Sequence, residues 1–288
     1  MSHSLDLDRS LPTRRQAALF RGKAALLRMR SITASPTSSP PTQESRLGVP
    51  RRAWWIGALI LILVTGLVSS QRTDHGPNRA RAAADRIRGK LTGDLEKKGL
   101  KFGDPVFIRI FKEERKLELW VKEPGKNTFR KFRTYRIAAM SGKLGPKVRE
   151  GDLQAPEGFY YVPPSKMNPM SQFHLSFNIG YPNKFDRAHG RDGTFIMVHG
   201  NRVSIGCFAM TDKKIEEIYT LCDAALTKGQ KFFRVHCFPF HMTAQRMEQA
   251  KLEGWWDFWK NLKDGYDAFE NTKVPPRVVV KEKRYVFE

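Results

Sequence analysis

The run Thr194-Phe195-Ile196-Met197-Val198-His199-Gly200-Asn201-Arg202-Val203-Ser204-Ile205-Gly206-Cys207 constrains the fold more than any other stretch of the chain. Its β-formers, Phe195 to Val198, end at a His-Gly pair and read as a short strand. A small polar loop then reaches Ser-x-Gly-Cys. Thr211 and Asp212 stand where N-cap residues belong, ahead of the helical spacing of Ile215, Ile218, Tyr219 and Cys222. A strand end thus presents an imidazole, a glycine turn presents a thiol, and a helix begins nearby. A thiol is a weak nucleophile near neutral pH until an adjacent His makes the thiolate–imidazolium pair. Gly206 has no Cβ, so it permits an unusual turn and a close approach of substrate to the backbone. The same residues also fit a buried structural Cys beside an unrelated His, because free Cys is among the most buried residue types.

The stretch resembles the active-site motif of the YkuD-type L,D-transpeptidases, in which a His lies upstream of a Ser/Thr-His-Gly-Cys turn. It is similar above all to the YafK-like branch of that family, with its shortened His-Gly-Asn-x-Val-Ser-Ile-Gly-Cys form. The likeness runs from about Lys101 to the C-terminus, and Ala155-Pro156-Glu157-Gly158-Phe159-Tyr160 resembles the family's Thr-Pro-x-Gly-x-Phe/Tyr strand entry. The resemblance implies His199 as general base and Cys207 as nucleophile, with Ser204 and Gly206 shaping the turn. It also implies Tyr181, Arg187 and His189 near the substrate cleft. Peptidoglycan stem peptides would be the substrate, attacked at the diaminopimelate carbonyl through a Cys thioester, without metal or cofactor. Ile205 replaces the His usual before Gly-Cys, and Ala209-Met210 stand where the wider family often has Asn-Arg. These departures leave two outcomes open: transpeptidation, or hydrolysis by an amidase that detaches a peptidoglycan-linked lipoprotein.

Upstream, Ala53 to Gln71 is nineteen residues without a charge, preceded by Arg51-Arg52 and headed by Trp54-Trp55. That length just spans a bilayer core, and the aromatics suit the headgroup belt. The positive-inside rule holds the Arg-rich leader in the cytoplasm, so a single-pass inner-membrane protein with a periplasmic catalytic domain is expected. A signal peptide cut near Val68-Ser69-Ser70 is the alternative. Residues 1–52, with the Ser/Thr/Pro run Ser31 to Thr42, lack the apolar content for a core and read as disordered; Met29 offers a second start. Residues 72–100 are charged and Ala/Arg-rich, and read as a linker or exposed helix.

The expected catalytic domain, residues 101–240, is an α+β fold on a β-rich sheet. Pro105 to Lys112 and Lys116 to Lys122 make a hairpin across Glu113-Glu114-Arg115, and Phe129 to Met140 follows as a third strand. Ser141 to Lys147 is a turn-rich loop, and His174 to Gly180 is another strand. Asp186 to Gly193 is a polar loop just ahead of the His199 strand, where substrate contacts tend to lie. His189 and His199 have no third ligand at metal spacing, which makes a poor zinc case. Asp212 to Leu226 is a helix, and Lys231 to Phe238 a closing strand with Phe233, Val235 and Cys237 on one face. Residues 241–288 form a helical extension: Trp255, Trp256, Phe258, Trp259, Leu262, Tyr266 and Phe269 recur at three- and four-residue steps and read as packing. The tail Val278 to Phe287 is β-prone.

A net charge of +22 and a pI near 10.1 invite a nucleic-acid reading. The chain has no zinc-finger spacing, helix-turn-helix signal or RNP-like strand, and its basic residues are spread along its length, so a surface suited to an anionic cell envelope is the plainer account. A non-catalytic wall-binding anchor would use that charge, yet it has no need of both His199 and an activated Cys207. Cys222 and Cys237 fall on core faces, either bridged or as two buried thiols, and Cys207 is the odd one.

Overall fold

The polar turn between two apolar runs closes an antiparallel hairpin of β1 (Val106–Phe111) and β2 (Lys116–Lys122), with Arg115 at φ 52° in the turn. The coordinates are a computed structural model whose described residues are 79–288. The expected leader and the 53–71 span lie outside those residues. Among them no helix is long and apolar enough to cross a membrane.

Strand β3 (Phe129–Arg136) pairs antiparallel with β2 and ends four residues before the sequence suggests. The rest of that run, Ala138 and Ala139, leaves the sheet to bond a strand of the active-site region. β4 (Gly158–Val162) and β9 (Phe233–Phe238) complete a five-stranded sheet of order β3-β2-β1-β9-β4, in which β9 lies parallel to β1. All six residues of β1 are buried, as a strand covered on both faces requires.

On one face the alternation of β9 turns Phe233, Val235 and Cys237 into a core shared with Ile215, Ile218, Leu221 and Cys222. Those four belong to the long helix Asp212–Thr227, labelled α3 below. The helix α1 (Arg79–Glu96) adds Ala83, Leu91 and Leu95, each at most 1% exposed. The sequence suggests an exposed or linking segment here. Instead, three apolar residues on one stripe dock α1, and Arg86 pairs with Glu216 at 2.5 Å. Burying a leucine fully is worth about 1.5–3 kcal/mol, more than enough to hold a helix that is otherwise polar.

On the opposite face the C-terminal extension packs. It is a pair of helices, α4 (Ala244–Gln249) and α5 (Trp256–Thr272), followed by the hairpin β10 (Val278–Lys281) and β11 (Arg284–Phe287). Trp259, Leu262 and Tyr266 bury against Phe111, Phe159, Phe238 and Tyr285. The node beneath them is Glu157, which has no exposed surface. It accepts from Lys112 Nζ (2.9 Å), the Gly145 N–H (2.7 Å) and Trp259 Nε1 (2.8 Å). The Pro-Glu-Gly entry to β4 is therefore more than a tight turn, because its carboxylate ties sheet, loop and extension together.

A second, four-stranded sheet carries the candidate site. Its order is β5 (Met167–Asn168), β6 (Ser176–Asn178), β7 (Met197–His199) and β8 (Phe208–Ala209). β7 and β8 run parallel, with Val198 opposite Phe208 and His199 opposite Ala209. Phe195 has φ 53° and stays outside the strand, which starts two residues later than its β-formers suggest. A five-residue helix, α2 (Lys184–Ala188), opens on a capping box between Asn183 and Asp186.

Candidate active site

The loop between His199 and Cys207 is fixed from three sides. Gly200 N–H lies 3.0 Å from Phe173 O, Met210 N–H donates to His199 O at 2.8 Å, and Thr211 N–H donates to Asn201 O at 2.9 Å. Thr211 is the N-cap of α3 but makes no side-chain cap bond. The next residue uses its side chain differently from the expected capping role: Asp212 Oδ1 reaches back to accept from Asn201 N–H at 2.7 Å. A Cβ on Gly200 would stand 2.6 Å from both that oxygen and Phe173 O, so glycine is required there. Ser204 Oγ donates to Cys207 O at 2.7 Å and closes the turn, and Gly206 adopts φ 121°, a conformation that favours glycine.

His199 is buried, and its Nδ1 lies 2.6 Å from Gly200 O. A carbonyl only accepts, so Nδ1 carries the proton and Nε2 is the basic nitrogen. Burial pulls the imidazole below the ordinary histidine range, against the Gly200 carbonyl, which favours the charged form. Cys207 keeps part of its surface accessible, yet its sulfur is enclosed by backbone. Met197 N–H donates to Sγ at 3.4 Å, and Sγ–H faces Phe195 O at 3.5 Å. Burial pushes this thiol up, and the Met197 N–H and the nearby Lys147 charge pull it back down. Among the described residues no hydrogen bond joins His199 to Cys207. Burial favours the neutral form of both groups.

Lys147, Asp152 and Gln154 are the participants that sequence reasoning missed. Buried Lys147 donates to Asp152 Oδ1 (2.6 Å) and Arg149 O (2.8 Å). Although burial raises it, the Lys147 contact and three backbone N–H groups hold the Asp152 carboxyl below its usual range. The backbone of Gln154 passes Gly206, its carbonyl 3.5 Å from where a Cβ would stand. A turn-rich loop was legible at 141–147, but nothing in its pattern marked Lys147 as a charge acting on the thiol.

The expected substrate residues separate. Tyr181 is buried, its hydroxyl 3.1 Å from Lys147 O and 3.0 Å from Asp192 O, so it holds the loop bearing Lys147 against the segment before β7. Arg187 is exposed and donates to Pro182 O. His189 stacks on Phe185 (4.2 Å between ring centroids), with Nδ1 3.0 Å from Phe185 O, and lines a cavity of the C-terminal extension. Neither Arg187 nor His189 is bonded or stacked to His199 or Cys207. Of the positions where the sequence departs from the resembling family, Ala209 and Met210 are fully buried, and Ala209 pairs through its backbone with Ala138 and Ala139. Ile205 is 45% exposed, and Leu153, Phe195 and Val203 are exposed as well. Cys222 and Cys237 are buried and unbridged.

A strand-end imidazole and a backbone-held thiol are thus joined by one short loop that ends in a glycine turn. The sequence profile of the YkuD L,D-transpeptidase catalytic domain matches residues 105–237. The chain belongs to this family, whose enzymes act on peptidoglycan stem peptides. It is 47% identical over 184 residues to YafK of Escherichia coli strain K12, which is named only provisionally as an L,D-transpeptidase. That match covers 64% of this chain and 74% of YafK, and the YafK of Escherichia coli O157:H7 matches equally. Among solved structures, the helical cell shape determining protein Pgp2 of Campylobacter jejuni aligns at 23% identity with a TM-score of 0.38, over 62% of this chain and 67% of that one. Bd1075 of Bdellovibrio bacteriovorus aligns at 18% identity and TM-score 0.34, over 63% and 78%.

Proposed function

We propose that the protein is a periplasm-facing, membrane-tethered cysteine acyl-transfer enzyme acting on peptidoglycan stem peptides. The observation that carries this reading is the Cys207 sulfur held by the Met197 N–H on the same short strand that ends in the Nε2-basic imidazole of His199. Cys207 attacks the carbonyl of the diaminopimelate residue, and His199 Nε2 takes the Sγ proton and returns it to the leaving amine. Backbone N–H groups of the Gly206–Cys207 turn meet the oxyanion; one such donor is typically worth about two to three powers of ten in rate. An amine or water then resolves the thioester.

Hydrolysis is favoured as an output by the side chains at three positions of the site segment. Ile205 offers an acceptor amine no hydrogen bond, and Ala209 and Met210 are sealed in the core, so none of the three helps to hold one. Positioning can supply effective molarities of about 10⁵ M or more, and without it water competes. Purified protein is to be incubated with tetrapeptide muropeptides, and separately with muropeptides still bearing a lipoprotein C-terminal Lys. Release of the Lys-bearing peptide supports hydrolysis. Efficient 3–3 cross-linked dimers without that release assign transpeptidation instead. Activity surviving Cys207→Ser would overturn the acyl-transfer reading. The tether is tested by a C-terminal alkaline-phosphatase fusion: activity together with retention on alkaline-washed membranes supports it, and a shortened soluble species means cleavage.

A further inference from the structure

A cavity of about 610 Å³ opens in the C-terminal extension, and neither Cys207 nor His199 lines it. Trp255, Trp256 and His189 give it an aromatic wall. Trp255 is 38% exposed, whereas Trp259, Leu262 and Phe269 of the same stripe are buried. The charges around the opening balance: Arg191, Lys283 and Arg284 stand with Glu253, Asp257 and Glu282. In a protein with a net charge of +22, such a neutral patch selects against an anionic polymer. Flat indole faces beside mixed donors and acceptors suit a ligand that has apolar ring faces and hydroxyl or amide edges.

The cavity is coupled to the thiol by one loop. Gly145, at φ 111°, lets the Trp255 ring lie against the backbone; a Cβ there would be 2.4 Å from Trp255 Nε1. Gln154 Nε2 donates to Gly145 O at 2.8 Å, and the Gln154 backbone passes Gly206, next to Cys207. The segment 145–154 therefore touches the cavity at one end and the nucleophile's turn at the other.

We propose that the Trp255 cavity binds the neutral, N-acetylated saccharide strand of peptidoglycan, so that an attached stem peptide is delivered across the 145–154 loop to Cys207. This rests on the peptidoglycan reading above, but its test does not require turnover. A soluble chitin oligosaccharide, a neutral N-acetylated saccharide strand with no lactyl carboxylate, is titrated calorimetrically into the full-length protein in detergent. Saturable binding is expected, with the dissociation constant raised at least tenfold in Trp255→Ala and in Arg284→Ala, whose side chain is exposed, and held within about threefold in Trp255→Phe. Absence of binding in the unmodified protein, or equal affinity in Trp255→Ala and Arg284→Ala with unchanged melting temperatures, overturns the proposal. Strand binding without any reaction at stem peptides would count against the acyl-transfer reading alone. Turnover of stem peptides without strand binding would count against this site alone.

Discussion

Met197 N–H points at Cys207 Sγ across 3.4 Å, two residues before the strand delivers His199. A donor aimed at sulfur favours the thiolate, whereas the enclosure that places it there favours the thiol. Burial wins: the thiol lies above its ordinary range and the imidazole below its own. Burial therefore favours a neutral thiol and a neutral imidazole over the ion pair.

Iodoacetamide should then modify Cys207 slowly at pH 7. Its rate should still be rising at pH 8.5, where an ordinary cysteine is half ionised. Lys147→Met removes the nearby positive charge and should lower the rate at each pH further. A rate already at plateau by pH 6–7 would show an ion pair formed at rest.

Gly200→Ala should lower activity about a hundredfold. The added methyl meets Phe173 O and Asp212 Oδ1 at 2.6 Å, so the loop joining His199 and Cys207 must shift. Overpacking of this kind costs about 1–3 kcal/mol, leaving a folded protein whose kcat falls more than its stability. Unchanged turnover would mean that the loop geometry is irrelevant.

Glu157→Ala strands Lys112 in the core with the Gly145 and Ala155 carbonyls as its remaining partners. Removing one member of a buried pair costs about 3–5 kcal/mol. Chemical denaturation should show a loss of that size. The double variant Lys112→Met, Glu157→Ala should recover part of it, because no uncompensated charge remains.

His236 is fully enclosed between the Phe107 and Phe159 rings, each at 4.7 Å, and neither ring nitrogen has a partner. Burial, then the Arg109 and Arg234 charges, hold it neutral well below the usual histidine range. A depressed value contributes stability that is present above the unfolded histidine range and lost as pH falls through it. From pH 7 to 5 the loss from this one site is about 2 kcal/mol. His236→Phe should remove that share of the acid sensitivity, as read from urea midpoints at the two pH values. His241, raised by its Glu114 and Glu118 contacts despite burial, titrates with the opposite sign and cancels in the comparison. An equal acid loss in the two proteins would refute the assignment.

Local pattern carried the hairpin, the α3 helix, the β9 core face and the His–loop–Cys spacing, because each is a periodicity or a turn within a dozen residues. What it missed is long-range. α1 looks like a spacer because only three of its eighteen residues are buried, and nothing local says that α3 receives them. The charge of Lys147 acts on the thiol from a loop in another part of the chain, held there by Asp152. Arg187 and His189 illustrate the converse: near the catalytic strand in sequence, they are turned to Pro182 and Phe185 by α2.

The position of β9 sets an order of assembly. It stands between β1 and β4, so the edge strand β4 has no partner in the larger sheet until residues 233–238 are present, more than a hundred residues after β1. Pairings so distant in sequence form slowly. Throughout that interval Cys207, Cys222 and Cys237 are unshielded, and Cys237 rides on the strand that joins β4 to the sheet. The Cys237 thiol is therefore shielded only once its own strand is seated between β1 and β4, so a cysteine-reactive label added during refolding times that insertion.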